Sequence, residues 1–268
     1  MQKEEQVLER RLIDLSRRAY YSNAVTYSDF LNLNELNILN SIPKDSLYSG
    51  YVTYGGFDFA ERQMAAFLPD ALSLRTQSEN GSDIRELFVP EMTVLRIRPR
   101  NKRFSGELSH RDFLGAILNL GIERGKTGDI LVEEQSAVLF TVNQLAQFIS
   151  ESLSRVRNTS VEVTQEPFTD FQYVQRYETV EGTVASVRLD SLLSLAFSLS
   201  RSKVTGWIEG GKVYVNGRLA TTNAWQVREH DRISVRGAGK FEYVGSQGVT
   251  RKNRVRVTIH KYTGQTVK

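Results

Sequence analysis

Arg188, the run Ser200-Arg201-Ser202-Lys203, and Lys212 and Arg218 flanking Asn216-Gly217 are the residues of this chain best suited to chemistry with a polyanion. Ser200 stands where a short helix should begin, so Arg201, Ser202 and Lys203 fall in its first turn. There the free backbone N–H groups and the helix dipole favour phosphate. Lys212 follows Gly211, which permits close backbone approach. Such a set binds phosphate well and reads base identity poorly, which suits folded RNA recognised by shape and backbone. Ser200 and Ser202 are expected to cap the helix and bond the RNA backbone, and Asn216 to shape a turn.

Other constellations read as structure. Ser109-His110-Arg111-Asp112 contains a possible base and its orienter, but consecutive positions at a helix start point in different directions, unlike an assembled triad. An N-cap with a charged first turn is expected. Gly121-Ile122-Glu123-Arg124-Gly125-Lys126-Thr127 is one residue short of a phosphate-binding loop, and a helix precedes it where a strand is required. Gly237-Ala238-Gly239 is expected to be a turn, and Trp207 and Trp225 to be core residues. The run Arg251-Lys252-Asn253-Arg254 is read two ways: as a solvated strand edge that discourages aggregation, or as an extension of the RNA surface.

The whole chain has 268 residues, 40% hydrophobic and 25% charged. It has no cysteine and three histidines, His110, His230 and His260. Disulfides, thiolate metal sites and cysteine nucleophiles are therefore excluded, and no metal or cofactor is expected. No apolar run is long enough to span a bilayer and the N-terminus lacks a secretory pattern, so a cytoplasmic, soluble, monomeric protein is expected. The formal charge of +4 is unevenly spread. Residues 1–80 carry 8 Lys and Arg against 11 Asp and Glu, residues 81–180 carry 12 against 14, and residues 181–268 carry 15 against 6. A basic module joined to mildly acidic ones is the electrostatic footprint of a polyanion binder.

The elements that must position these residues fall into three expected modules of an α+β chain. In residues 1–80, an N-terminal α/β domain, helical spacing runs over Glu4–Tyr21. Ser28 and Asp29 offer a cap to a second helix, Tyr48–Tyr54 reads as a strand, Ala60–Leu68 as a short helix and Ser73–Asp83 as a loop. Residues 81–180 read strand (Thr93–Arg98), helix from Ser109, strands Asp129–Glu133 and Ala137–Val142, helix capped by Asn143, and strand Val161–Gln165. That order is ferredoxin-like, the split β-α-β pattern of many RNA-recognition domains. The aromatic signature for base stacking is missing, so a structural or protein-contact role stands beside RNA reading. Residues 181–268 read as two helices (Arg188–Ser198, and Ser200 onward), a strand Lys212–Val215, the hairpin turn Asn216-Gly217, and strands Arg232–Val235, Phe241–Val244 and Arg254–His260.

Arg188-Leu189-Asp190, Ser200-Arg201-Ser202-Lys203, Ile208, Gly211-Lys212-Val213, Val215-Asn216-Gly217 and His230-Asp231-Arg232-Ile233-Ser234-Val235 resemble the RNA-binding module named after small-subunit ribosomal protein S-four. One departure is His230, where that family usually has glycine. Upstream, Gly55-Gly56-Phe57, Ala60-Glu61-Arg62, Phe67-Leu68-Pro69, Leu108 to Gly115 and Gly121-Ile122-Glu123-Arg124 are similar to the YlmH family. The resemblance implies a bacterial protein on the large ribosomal subunit, with ribosomal RNA and peptidyl-tRNA as partners alongside ribosomal or quality-control proteins. It also implies a link to ribosome-associated quality control and an older cell-division label. Because it passes through His110 and Arg111, these join Arg251, Lys252 and Arg254 as secondary RNA contacts.

Enzymatic alternatives are weaker. Arg188-Leu189-Asp190 echoes a pseudouridine synthase motif, but the residues that should follow it are missing and only 78 residues remain after Asp190. No cofactor loop of an RNA methyltransferase and no adenylate signature of a tRNA synthetase is present. A protein scaffold, with the acidic first domain as its contact surface, survives as the alternative to RNA binding.

Overall fold

In the computed structural model, residues 3–58, 60–69, 72, 84–101, 107–133, 135–166, 171 and 173–267 are described. The loop expected at Ser73–Asp83 lies outside them. The chain is mixed α+β with three sheets, and it divides into one compact unit that runs to Tyr173 and another from Val174 to Thr266. No helix among the described residues is long and apolar enough to cross a membrane.

The first unit opens with α1 (Lys3–Ser22), whose Leu12, Leu15, Ser16 and Ala19 are buried at helical spacing. After β1 (Thr26–Tyr27) comes α2 (Leu33–Ser41). Its cap is Asn32, not Ser28 or Asp29. Asn32 Oδ1 accepts from the N–H of Asn34 and Glu35, and the Glu35 carboxylate accepts from the Asn32 N–H, a reciprocal capping box. Ser28 Oγ instead accepts from the Ala65 N–H, and Asp29 pairs with Arg11 and Lys126. Strands β2 (Gly50–Tyr54) and β3 (Met64–Leu68) complete a three-stranded sheet with β3 in the centre.

The short helix expected at Ala60–Leu68 is thus a strand. All five residues of Met64-Ala65-Ala66-Phe67-Leu68 are buried, with Ala65 and Phe67 packed on α1 and α2 and Met64, Ala66 and Leu68 facing the other way. A strand covered on both faces loses the alternation of apolar and polar residues that identifies strands in sequence.

A second sheet follows α3 (Ile84–Phe88): β4 (Met92–Pro99), α4 (His110–Leu118), β5 (Thr127–Glu133), β6 (Ser136–Val142), α5 (Asn143–Ser152), β7 (Arg155–Val156) and β8 (Thr159–Glu166). The order is β5-β6-β4-β8-β7, antiparallel throughout. Asn143 is the first residue of its helix rather than the cap. Its side chain donates to the carbonyls of Val89 and Pro90 and so ties α5 to the entrance of β4.

Strands β4, β5 and β6 each serve two cores. Leu95, Ile97, Ala137 and Leu139 pack under α4 and α5 with Phe113, Ile117, Ala146 and Ile149. Val94, Val138 and Phe140 face the opposite side and pack with Phe30, Phe57, Met64 and Ala66. Phe140 is fully buried between Phe57 and Phe171, with ring centroids 5.3 and 5.0 Å away. At Gly56 (φ +100°) a Cβ would meet the Phe140 ring at 2.2 Å, so the double glycine permits the chain to cross directly over that ring.

The second unit contains β9 (Tyr173–Val184), α6 (Leu189–Phe197), α7 (Arg201–Glu209), β10 (Val213–Val215), β11 (Arg218–Leu219), β12 (Arg232–Val235), β13 (Gly239–Val249) and β14 (Val255–Val267). Its six-stranded sheet runs β11-β10-β12-β13-β14-β9. The third module was expected to open at Glu181, yet β9 begins eight residues earlier and lies beside the last strand. Gly182 lets β9 approach α6: a Cβ there would meet Leu195 at 2.5 Å. Leu189, Leu192, Leu193 and Ala196 of α6 and Val204 and Ile208 of α7 bury their apolar faces on Val213, Val215, Ile233 and Phe241.

Replacing Phe140 by alanine should lower the stability of the first unit by about 3–5 kcal/mol, because the void opens where three segments converge. A shift in the chemical denaturation midpoint measures it; an unchanged midpoint would show that the two sheets do not depend on this ring.

Candidate nucleic-acid interface

The expected phosphate-binding residues sit on α6, α7 and the β10–β11 hairpin. Arg201, Ser202, Lys203, Lys212, Asn216 and Arg218 are all exposed. Among the described residues no ion pair engages Arg201, Lys203, Lys212 or Arg218. The four do not converge on one point. Arg201 and Lys203 begin α7, whereas Lys212 follows its end at Gly210-Gly211, and nine helical residues rise about 13 Å. The cations therefore form a row along α7 and not a single cradle.

Ser200 occupies the N-cap position with extended backbone (φ −66°, ψ 151°), but its hydroxyl lies 3.1 Å from Ser202 Oγ and makes no capping bond. The expected side-chain cap is thus absent, and the first-turn N–H groups of α7 face outward without one. Val204 and Ile208 bury their side of α7 in the core, and Arg201 and Lys203, two positions apart, project about 200° from one another around the exposed first turn.

Arg188 is not free. Its guanidinium grips Asp190 by two bonds, Nε to Oδ1 at 3.2 Å and Nη2 to Oδ2 at 3.1 Å, and the Asp190 side chain is only 8% exposed. The Asp190 carboxylate is thereby engaged at the foot of α6. Asn216 is also occupied: its Nδ2 donates to Asp231 at 2.7 Å and its Oδ1 accepts from the Arg232 N–H at 2.9 Å. With φ of 48° at Asn216 and 76° at Gly217, the hairpin turn has the left-handed pair of a type I′ turn. His230, at φ 65°, occupies a left-handed position that glycine adopts without strain. It is held by its N–H to Tyr243 O and by Nδ1 against Glu242 at 2.8 Å.

Trp207 packs edge-on against Phe197 and, like Trp225, belongs to the margin of the core. In the basic run, Arg251 and Lys252 lie exposed in the turn between β13 and β14, but Arg254 donates from Nε and Nη2 to the hydroxyl and carbonyl of Thr183.

In the first unit, His110 and Arg111 begin α4, where Asp112 accepts from the Ser109 N–H at 2.8 Å and from its hydroxyl at 2.7 Å. Ser109 and Asp112 therefore form a helix start and no triad. Crowding by protein and the neighbouring Arg124 charge hold the His110 imidazole below its ordinary value, with Glu61 opposing. Arg124 itself is drawn down to about 10 by burial and by the charge of Arg62, and donates to the carbonyls of Thr127 and Gly128. Arg62 donates to the carbonyls of Phe30, Arg124 and Thr127. The Gly121–Thr127 loop thus turns its cations inward, Lys126 included, which pairs with Asp29 at 2.6 Å. Sequence reasoning did not find this double-arginine centre, although Arg62 and Arg124 lie in the segments that carried the family resemblance.

Arg188→Ala should destabilise the second unit by about 1–3 kcal/mol, since a buried carboxylate loses its partner; a thermal melt measures it, and an unchanged melt would free Arg188 for a surface role. His110 should titrate below 6.5 in an NMR series. Because its folded value lies below its unfolded one, its contribution to stability is complete above 6.5 and declines as pH falls through the folded value. Titration at or above 6.5 would show that burial and Arg124 do not together depress it.

Comparison with known proteins matches two separate segments of the chain. Residues 91–170 match the family described as "Putative RNA-binding domain in YlmH", and residues 187–233 match the S4 domain. The chain is 27% identical over 238 residues to "Ribosome-associated protein quality control protein P2" of Bacillus subtilis (strain 168), covering 87% of this chain and 86% of that one. It is 43% identical over 58 residues, 22% of this chain and 18% of the other, to "Uncharacterized RNA pseudouridine synthase MG209 homolog" of Mycoplasma pneumoniae, a likeness confined to the S4 region. Among solved structures, "Cell division protein ylmH from Streptococcus pneumoniae" aligns over 63% of this chain and 95% of its own, with 21% identity and a TM-score of 0.47. The chain thus carries a segment that matches the RNA-binding domain described for YlmH, followed by a C-terminal S4 domain, and over most of its length it is similar to ribosome-associated protein quality control protein P2.

Proposed function

We propose that the protein is a non-catalytic, cytoplasmic RNA-binding factor that docks on the large ribosomal subunit, contacts ribosomal RNA and peptidyl-tRNA, and acts in ribosome-associated quality control. The observation that carries this reading is the row of exposed cations, Arg201, Lys203, Lys212 and Arg218, along α7 and the adjoining hairpin, with no ion-pair partner among the described residues. Guanidinium and ammonium groups on a helix and the adjoining hairpin meet phosphates without reading bases, as a structured RNA requires. Arg251 and Lys252 extend the same chemistry, whereas Arg188 and Asn216 support it by fixing α6 and the turn. The similarity to a ribosome-associated protein over most of both chains makes the ribosome the RNA-bearing particle of choice. The middle strand order, with β4 between β6 and β8, supports a ferredoxin-like assignment for that domain.

Neutralising four to six phosphates gives a slope of log K against log salt of about −3 to −5. Co-sedimentation with isolated large and small subunits across a salt series should show salt-sensitive binding confined to large subunits. Combined Arg201→Glu and Lys203→Glu should leave the fold intact and abolish that binding. Equal binding by the variant would overturn the proposed surface. Absence of binding to either subunit would favour the scaffold reading, for which the exposed Tyr20, Tyr21 and Tyr48 around the end of α1 supply a protein-contact surface.

A further inference from the structure

The middle domain cannot read RNA in the way its strand order suggests. RNA-recognition sheets stack bases on an open sheet face. Here the face of β4 and β6 opposite the helices, with Val94, Val138 and Phe140, is buried under Phe30, Phe57, Met64 and Ala66. Base stacking on the centre of this sheet face is therefore closed, and the helical side of the domain is open to RNA.

On the helical side lies a groove of about 490 Å³, between α4 and the segment that leads from α5 into β7. Arg111, Arg155 and Arg157 line it, and its floor includes Gly115 and Ala116 of α4. Arg111 and Arg155 are exposed with no ion-pair partner among the described residues. Arg157 stands at the turn between β7 and β8 with φ 51° and a side chain 65% exposed. Asp112 is the sole acid among the described lining residues. Its charge is already engaged: Oδ2 accepts two bonds from Ser109, and Oδ1 lies 3.6 Å from Arg157 Nε. The Ser109 N–H and hydroxyl, with Arg157 adding to them, hold that carboxyl below its ordinary value. The field in the groove is thus cationic. Gly115 sits in mid-helix with nothing within 4 Å of where its Cβ would be. A helix pays for a glycine there in stability, and what it gains is an unobstructed floor against which a rigid backbone can lie.

We propose that this groove is a second RNA site, independent of α7, which holds the sugar–phosphate backbone of structured RNA. Arg111, Arg155 and Arg157 meet phosphates, for which the guanidinium fork is suited, and ribose packs on Gly115 and Ala116. No aromatic side chain lines the described groove, so it follows the backbone and does not stack bases. The proposal rests on the RNA-binding reading of this protein and adds a site to it.

The test uses the full chain and purified large-subunit ribosomal RNA in a salt series, with four proteins: wild type, Arg111→Glu/Arg155→Glu, Gly115→Gln, and Arg201→Glu/Lys203→Glu. Gly115→Gln fills the groove with a better helix former and should melt at or above the wild-type temperature while binding RNA about 10-fold more weakly. The Arg111/Arg155 variant should weaken binding similarly and reduce the salt slope by about two. Wild-type affinity and slope in both groove variants, with loss only in the Arg201/Lys203 variant, would overturn the groove and leave the α7 surface standing. Failure of wild type to bind RNA at any salt would instead overturn the RNA-binding reading itself. Unchanged RNA affinity with loss of binding to polyglutamate in both groove variants would assign the groove to an acidic protein segment and also overturn the proposal.

Discussion

The first unit depends on how two guanidinium groups are satisfied away from water. Arg62 reaches carbonyl oxygens of Phe30, Arg124 and Thr127, and Arg124 reaches those of Thr127 and Gly128. These acceptors belong to the first sheet's approach, the loop after α4 and the start of β5. Asp129 completes the centre by accepting from the backbone of Glu61 and Arg62. Neutral carbonyls stabilise a buried cation without cancelling it, so both arginines stay charged at neutral pH. Removal of either would orphan several backbone acceptors at once. The centre ties the approach to α2, the turn before β3, the loop after α4 and the start of β5 together.

The second unit uses electrostatics differently. The Arg188–Asp190 pair is local and closes the foot of α6, while Arg201, Lys203, Lys212 and Arg218 on α7 and the hairpin stay in solvent. That separation lets a surface be cationic without straining the core, since the apolar faces of α6 and α7 carry the packing. The same division explains why a departure such as His230 is tolerated: its backbone strain is met by Tyr243 and Glu242 and by no residue of the cationic row.

What could be read in the sequence was whatever rested on local rules. The α1 periodicity, the Ser109–Asp112 helix start and the Asn216-Gly217 turn are each set by residues within four positions of one another. The Asn32 cap was equally local, because Asn32 and Glu35 have the spacing of a capping box, but Ser28 and Asp29 drew the assignment away. Tertiary features were not legible. β3 is a strand because other elements cover both its faces, and its sequence carries no alternation. Arg188 looked like a phosphate ligand because nothing local shows that Asp190 is buried. Along α7 the cations were found by type, but their spread over its length required the helix to be built. The groove beside Gly115 left no sequence signal beyond a glycine in a helix, since its walls come from segments some forty residues apart.

In the second unit the first strand, β9, and the last, β14, are hydrogen-bonded neighbours in one sheet, and Arg254 at the start of the final hairpin return is fastened to Thr183 of β9. A unit whose entry and exit share an edge is a cassette: it can be carried from one polypeptide to another without asking the host for structural support. The short stretch shared with a protein named for an unrelated chemistry lies inside this unit. Such closure makes an RNA grip a transferable part, leaving the host domain to decide what is done once the RNA is held.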